Sequence, residues 1–284
     1  MAAINSITRE RVVKVADALP CAPRVLEELK TLLANPNSDM EQVAGLLRRD
    51  GTLTARIIRV ANGVMYNRGD PVGSLEDALA RVGYSEVYRL TSMASMLQLM
   101  DLPLRFYPIA NQRLRENSLL CGLVMEGLAG DLGLDARTAY TAGLLRSVGA
   151  VVLDATAQKD LRYVRPTPIG PEGLLAWEQQ MFGLTSCEAG AAVLRAWHFQ
   201  VDVYVAVRDQ YVHNLAVDPL PLAKLLNVAI NEAEKAGLAL PGCAPYTAAQ
   251  ADTVRESLQL SEAHVAQATK RAMFKFERMR DVLK

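Results

Sequence analysis

Few residues in this chain have the chemistry for a catalytic centre, and they are poorly spaced for one. Its 284 residues include three histidines (His198, His213, His264) and four scattered cysteines (Cys21, Cys121, Cys187, Cys243), with no CxxC pair. A metal centre gathers imidazoles, thiolates and carboxylates into one shell and orients them with further partners. His198 follows Trp197 where a helix should end, His264 lies in the tail, and His213 has only Asp209 nearby in sequence. A different kind of chemistry shows in the stretch AGLLRSVGAVVLDA, Ala142 to Ala155, where Arg146 and Ser147 interrupt an apolar helical run. A guanidinium brings positive charge and five fixed donors without needing ligands of its own. Arg146 is therefore expected either to neutralise a carboxylate or hold a small anion, or to snorkel outward from a wet helix side.

A second group of chemically able residues lies in YNRGDPVG, the first real loop. Tyr66, Asn67 and Arg68 place an aromatic, an amide and a guanidinium in succession, and Tyr and Arg are enriched at binding hot spots. Long loops that break a helical array often carry function, so this one is expected to be an interaction surface. The alternative is that Tyr66 folds back on the core while Arg68 pairs with Asp70. Just before it, Asn62 is expected to hydrogen-bond the loop backbone, with Gly63 turning the chain.

The elements that must position these residues read as helix after helix. Pro23 suits a first helical position for PRVLEELKTLLA, whose Val25, Leu26, Leu29, Leu32 and Leu33 form one stripe. Ser38 should cap DMEQVAGLLRR, and Ser74 should cap LEDALARVG with Asp77 three residues on. EVYRLTSMASMLQLM follows Ser85, and its Met93, Met96 and Met100 suit an irregular core. Two long helices are expected over Asn111–Leu132 and Asp135–Ala155, parted by GDLGLD. Thr185 and Glu188 form a capping box for the next helix. The valine run in VDVYVAVRDQYVH is assigned to a helix by its neighbours, Pro219 and Pro221 open another, and Ser261–Lys284 is a basic amphipathic last helix. The fold class is all-α.

Composition narrows the function. Hydrophobic residues make up 50% and charged residues 22%, and 31 basic side chains balance 31 acidic ones. A formal charge of zero supplies no field for nucleic acid or an anionic membrane. No apolar run approaches the roughly 20 residues of a membrane span, and charges come too early for a signal-peptide core. Scattered cysteines read as reduced core thiols, which suits the cytoplasm. A chain of this length can form one large unit or two helical subdomains. The expected division is 1–104 and 105–284.

From Leu19 to Gly83 the chain resembles the opening of the HDOD domain. The landmarks are Leu19-Pro20 with Pro23, Asp50 with Leu53 to Arg56, Ala61-Asn62, and Ser74 to Gly83. AGLLRSVGAVVL resembles that family's GLLHDIG helix, and EQQMFGLTSCEAGAAVLRAWHF its later FG-containing segment; the likeness reaches about His213. The resemblance implies an HD-like helical array, related to metal phosphohydrolases and used in bacterial signalling as an output or regulatory module. It also implies where metal ligands would stand. The helix-initial His falls near Asn117, the His-Asp pair on Arg146 and Ser147, the next His on Ser186, and a His-His pair near Gln210 and Tyr211. None of these is a usable ligand set. The expectation is thus a non-catalytic signalling module without a cofactor, acting on signalling proteins through protein contacts. The alternatives are a nucleotide, cyclic dinucleotide or small anion held in the degenerate pocket, and, less expected, an active phosphohydrolase with an unrecognised site.

Overall fold

The computed structural model describes residues 7–19, 25–66, 69–160, 169, 173–211, 219–244 and 251–280. Among them every regular element is helical, and no helix is long and apolar enough to cross a membrane. The first six helices are α1 (Arg9–Asp17), α2 (Val25–Ala34), α3 (Met40–Leu47), α4 (Gly51–Ala61), α5 (Leu75–Val82) and α6 (Tyr84–Leu99). After a linker come α7 (Asn111–Ala129), extended by a 3-10 turn at Gly130–Leu132, then α8 (Ala136–Leu144) and α9 (Val148–Asp160). The remainder are α10 (Leu174–Phe182), α11 (Ser186–Ala196), α12 (Val201–Arg208), α13 (Pro221–Lys235), α14 (Ala251–Ser257) and α15 (Glu262–Met279).

Local chemistry sets most of the boundaries. Ser74 accepts from the Asp77 amide, the Thr185–Glu188 capping box is complete, and Pro221 occupies the first turn of α13. The valine run is the helix α12, and Met93, Met96 and Met100 are core residues. Asp39, not Ser38, caps α3, because its carboxylate reaches the Gln42 amide while the Gln42 side chain returns to the Asp39 backbone. Pro23 lies outside the described residues. The short helix α14 carries too little apolar periodicity to announce itself.

Asn62, which caps α4, ties down the loop that follows. Its Nδ2 donates to the Val72 carbonyl and its Oδ1 accepts from the Val72 amide, both at 2.9 Å, while Arg81 adds a third bond at 3.3 Å. Gly63 is not left-handed, unlike Gly69 and Gly83, so the turn is made by the Asn62–Val72 clasp rather than by glycine freedom there. Replacing Asn62 with Ala removes the clasp and should cost about 1–2 kcal/mol, read as a lower urea midpoint at unchanged m-value. An unchanged midpoint would show the clasp to be solvent-compensated.

Three features join the early helices to the later ones. Helix α1 packs on α9 and α11, and the Ile7 amide donates to the Phe182 carbonyl at 2.8 Å. Lys30 of α2 reaches Thr138 and Asp135 at the start of α8. The linker before α7 inserts Phe106 and Tyr107 among Trp177 and Phe182, and its amides at Arg105, Phe106 and Tyr107 all donate to Asp154 of α9. Asp154 is fully buried, so those charge-assisted bonds are what make its carboxylate tolerable there.

Candidate functional site

Arg146 and Ser147 do not lie mid-helix. The expected single helix over Asp135–Ala155 is two, α8 and α9, and both residues sit in the turn between them. Glycines explain the break. Gly143 brings α8 against the backbone of α7 at Cys121 and Gly122, whereas Gly149 brings α9 against the backbone of α11 at Ser186 and Gly190. The chain must redirect between these two close approaches, and the Arg146–Ser147 turn is where it does so.

The turn carries Arg146 inward. The residue is only 3% exposed, which rules out the snorkelling alternative. One terminal nitrogen donates to Asn117 Oδ1 of α7 and, at 3.4 Å, to the Ser147 hydroxyl. The other donates to the Tyr211 hydroxyl at 2.8 Å, and the guanidinium carbon stands 5.8 Å from the centre of the Tyr211 ring. Asn117 is held from its far side by donating to the Leu238 carbonyl at 2.8 Å. Gln210 donates to the Arg146 carbonyl at 3.3 Å and the Val207 carbonyl at 2.9 Å. Ser147 also accepts from the Ser118 hydroxyl at 3.4 Å.

Five of the six residues expected at the degenerate centre therefore form one buried network: Asn117, Arg146, Ser147, Gln210 and Tyr211. Ser186 is linked through its neighbour Cys187, whose sulfur stands 3.5 Å from Gln210 Nε2. Among the described residues no carboxylate lies within ion-pair distance of Arg146, so its partners are neutral. Arg146 Nε and Gln210 Oε1 are buried with no partner. The surrounding sulfurs do not supply the missing charge. Burial pushes the Cys121 thiol up to about 11 and raises Cys187 and Cys243 as well, although Arg146 pulls each of them down. Cys243 lies 3.0 Å from the Tyr211 hydroxyl and is a protonated, unbridged thiol.

The two described histidines stay apart from this network. His198 is exposed, with a left-handed backbone (φ 63°) just past α11, and His264 pairs with Asp131 at 3.0 Å. His213 lies outside the described residues. Among the described residues no three His, Cys, Asp or Glu side chains gather as a metal ion requires.

The interaction loop is corrected in part. Tyr66 is 7% exposed and its hydroxyl faces Glu86 at 3.4 Å, so it anchors the loop instead of offering a contact. Asn67 and Arg68 lie outside the described residues.

Sequence reasoning missed one buried acid beside the network. Glu178 is fully buried, accepting from the Tyr107 hydroxyl and from the Ser186 amide at the start of α11, both at 2.7 Å. The available signal was a lone acid on the apolar face of LLAWEQQMF. Burial raises its pKa from 4.5 to about 7, against the lowering effect of those two bonds. A raised carboxylate pKa means that the folded state keeps a proton which the unfolded state releases. The Glu178 contribution is thus complete below pH 4.5 and is lost as pH rises to about 7. The loss should be on the order of 3 kcal/mol, and Glu178→Gln should flatten that part of a stability–pH curve measured by urea unfolding. An equally steep curve in the variant would assign the slope to another group.

Comparison with known proteins decides the family. The model of the HDOD domain matches residues 19–213. The chain belongs to the HDOD family. An HDOD domain protein of unknown function from Geobacter sulfurreducens superposes with a TM-score of 0.65, 20% identity, and coverage of 96% of this chain and 97% of that one. A candidate phosphohydrolase from Shewanella amazonensis SB2B gives 0.65 at 19% identity, covering 99% and 100% of the two chains. A candidate signal transduction protein from Marinobacter aquaeolei VT8 gives 0.67 at 17% identity, covering 99% of this chain and 67% of that one. At these identities the likeness establishes the shared HDOD fold. An uncharacterized protein of Treponema pallidum (strain Nichols) is 24% identical over 209 residues, 72% of this HDOD chain. The chain spans 39% of that relative's length.

Proposed function

We propose that this HDOD protein is a non-catalytic signalling module of the cytoplasm that works through contacts with partner proteins. The observation that carries the reading is the Arg146 guanidinium, buried and held by the neutral Asn117 and Tyr211 side chains where the family's His-Asp pair would stand. A divalent metal does not fit these residues. Ser147, Ser186, Gln210 and Tyr211 offer it neither imidazole nor carboxylate, the thiols nearby are protonated, and Arg146 repels a second cation at short range. No hydrolytic step is derived for this centre. The signalling part of the reading draws on HDOD membership and on the Marinobacter neighbour, which is described as a candidate signal transduction protein.

The test is a hydrolysis assay of the full chain with Mn²⁺ on an activated phosphodiester. No turnover above background is expected. The Arg146→His, Ser147→Asp double variant should also be silent, because Asn117, Ser186 and Gln210 still supply no imidazole. Metal-dependent turnover that disappears on mutating the Arg146 network would sink the non-catalytic reading. The contact part is checked by cross-linking in cells and rebinding of purified components, where the absence of any reproducible partner would count against it.

A further inference from the structure

One face of α11 is left open to solvent between α1 and α12. Glu188, Ala191, Ala192, Arg195 and Ala196 recur on it at helical spacing and line an open cavity of about 590 Å³. The neighbouring helices add Arg9 from α1 and Tyr204 with Arg208 from α12. Counting Asp209, which pairs with Arg208 from outside the lining, the cavity has three guanidiniums against two carboxylates, one of them the lining residue Glu188.

That carboxylate is already committed. Glu188 uses one oxygen in the capping box with Thr185 and the other to hold Arg9 at 2.7 Å. Arg208 is steadied by a two-pronged bond to Asp209, 2.7 Å on each prong. Arg195, in the last turn of α11, has no side-chain partner among the described residues, so its whole fork is available. One free guanidinium, with the remaining donors of two held ones lining the same recess, can offer a phosphate charge-assisted bonds. The alanine methyls leave a flat apolar surface beside them, and the half-buried Tyr204 presents a ring to it. The volume falls within the range of small-molecule sites, roughly 300–1,000 Å³.

We propose that the α1–α11–α12 cavity binds a phosphate ester carrying a planar ring, of the nucleoside monophosphate class, with Arg195 and Arg208 on the phosphate and the alanine face with Tyr204 against the ring. The site is distinct from the Arg146 network and does not rest on the reading of that network.

Calorimetric titration of the full chain with AMP, GMP and inorganic phosphate tests it. Nucleotide binding is expected to be at least about tenfold tighter than that of phosphate. Arg195→Ala should weaken nucleotide binding about tenfold or more at unchanged melting temperature, since that side chain makes no bond to another described residue. Ala192→Leu, which fills the flat surface, should lower nucleotide affinity to the phosphate level while leaving phosphate binding intact. Arg146→Met should leave nucleotide binding unchanged. No binding of either nucleotide at millimolar concentration would overturn the proposal. So would full affinity in an Arg195→Ala, Arg208→Ala variant that retains the wild-type melting temperature, or loss of binding in Arg146→Met alone. Phosphate binding as tightly as the nucleotides would overturn the assignment of the ring surface.

Discussion

Gly149→Ala leaves little folded protein. A Cβ placed at Gly149 would stand 1.9 Å from the Ser186 carbonyl oxygen and 2.5 Å from the Gly190 amide nitrogen. Both obstacles are backbone of α11, so no side chain can swing aside, and α9 and α11 must move apart. Overpacking in a core typically costs about 1–3 kcal/mol. A backbone-on-backbone collision belongs in the rarer class above about 4 kcal/mol, a large share of the stability of a natural domain. The separation also pulls Ser147 and Arg146 away from Gln210 and Tyr211, so the buried network opens with the helix pair. Gly45→Ala is the control, because its Cβ meets nothing within 4 Å and its backbone is helical. That variant should gain about 0.5–1 kcal/mol from helix propensity. Urea unfolding compares the three proteins. A Gly149→Ala protein within about 1 kcal/mol of wild type would show that the two helices can slide past the contact.

Arg146→Met should make the protein more stable. A buried ion costs several kcal/mol in lost hydration, and Arg146 recovers this through neutral acceptors, with no carboxylate opposite it among the described residues. Its Nε recovers nothing. Methionine keeps much of the side-chain volume and adapts to irregular space. The groups it leaves behind retain other bonds. Tyr211 keeps its contact with Cys243, and Asn117 keeps the Leu238 carbonyl. Exchanges of this kind in other proteins have been neutral or stabilising by about 1–4 kcal/mol, and a gain in that range is expected in the urea midpoint. Arg146→Ala separates charge from volume, since it removes the same charge but opens a cavity, and it should be the less stable of the two variants. A Met variant more than about 2 kcal/mol below wild type would mean that the hydrogen bonds of the guanidinium outweigh its desolvation.

The two variants bear on why an arginine stands there at all. If the methionine protein is more stable, the guanidinium is not retained for stability. If it is less stable, the hydrogen bonds of Arg146 hold α7, the α8–α9 turn and Tyr211 together.

Much of this fold was legible in the sequence because short-range chemistry controls it. Ser74, Thr185 with Glu188, and Pro221 mark helix starts through bonds or geometry that span three or four residues, and such signals survive in a linear reading. The apolar stripe of α2 and the core methionines of α6 are legible for the same reason, since the helical period alone places them on buried faces. The HDOD landmarks also singled out Asn117, Arg146, Ser147, Gln210 and Tyr211, which the structure brings into one network. Asn62 belongs with these, as an amide at a helix end beside a polar loop.

What the sequence left open was decided at distances along the chain that no local pattern encodes. AGLLRSVGAVVLDA has uninterrupted helical periodicity, yet it is two helices, because Gly143 and Gly149 are claimed by two different helices, α7 and α11. That break turns Arg146 inward and makes it a buried cation. Tyr66 offered the same residue types to solvent and to the core, and burial against α6 decided between them. Asp154 and Glu178 look like ordinary helix acids until the amides of the linker and of α11 arrive to satisfy them. The free Arg195 is distinguishable from other surface arginines only once α1 and α12 flank it with Arg9 and Arg208. In each case the sequence determined which groups exist and which helix carries them. Whether a charge is paired, buried or free depends on groups brought up by other helices, and only the packed structure supplies those.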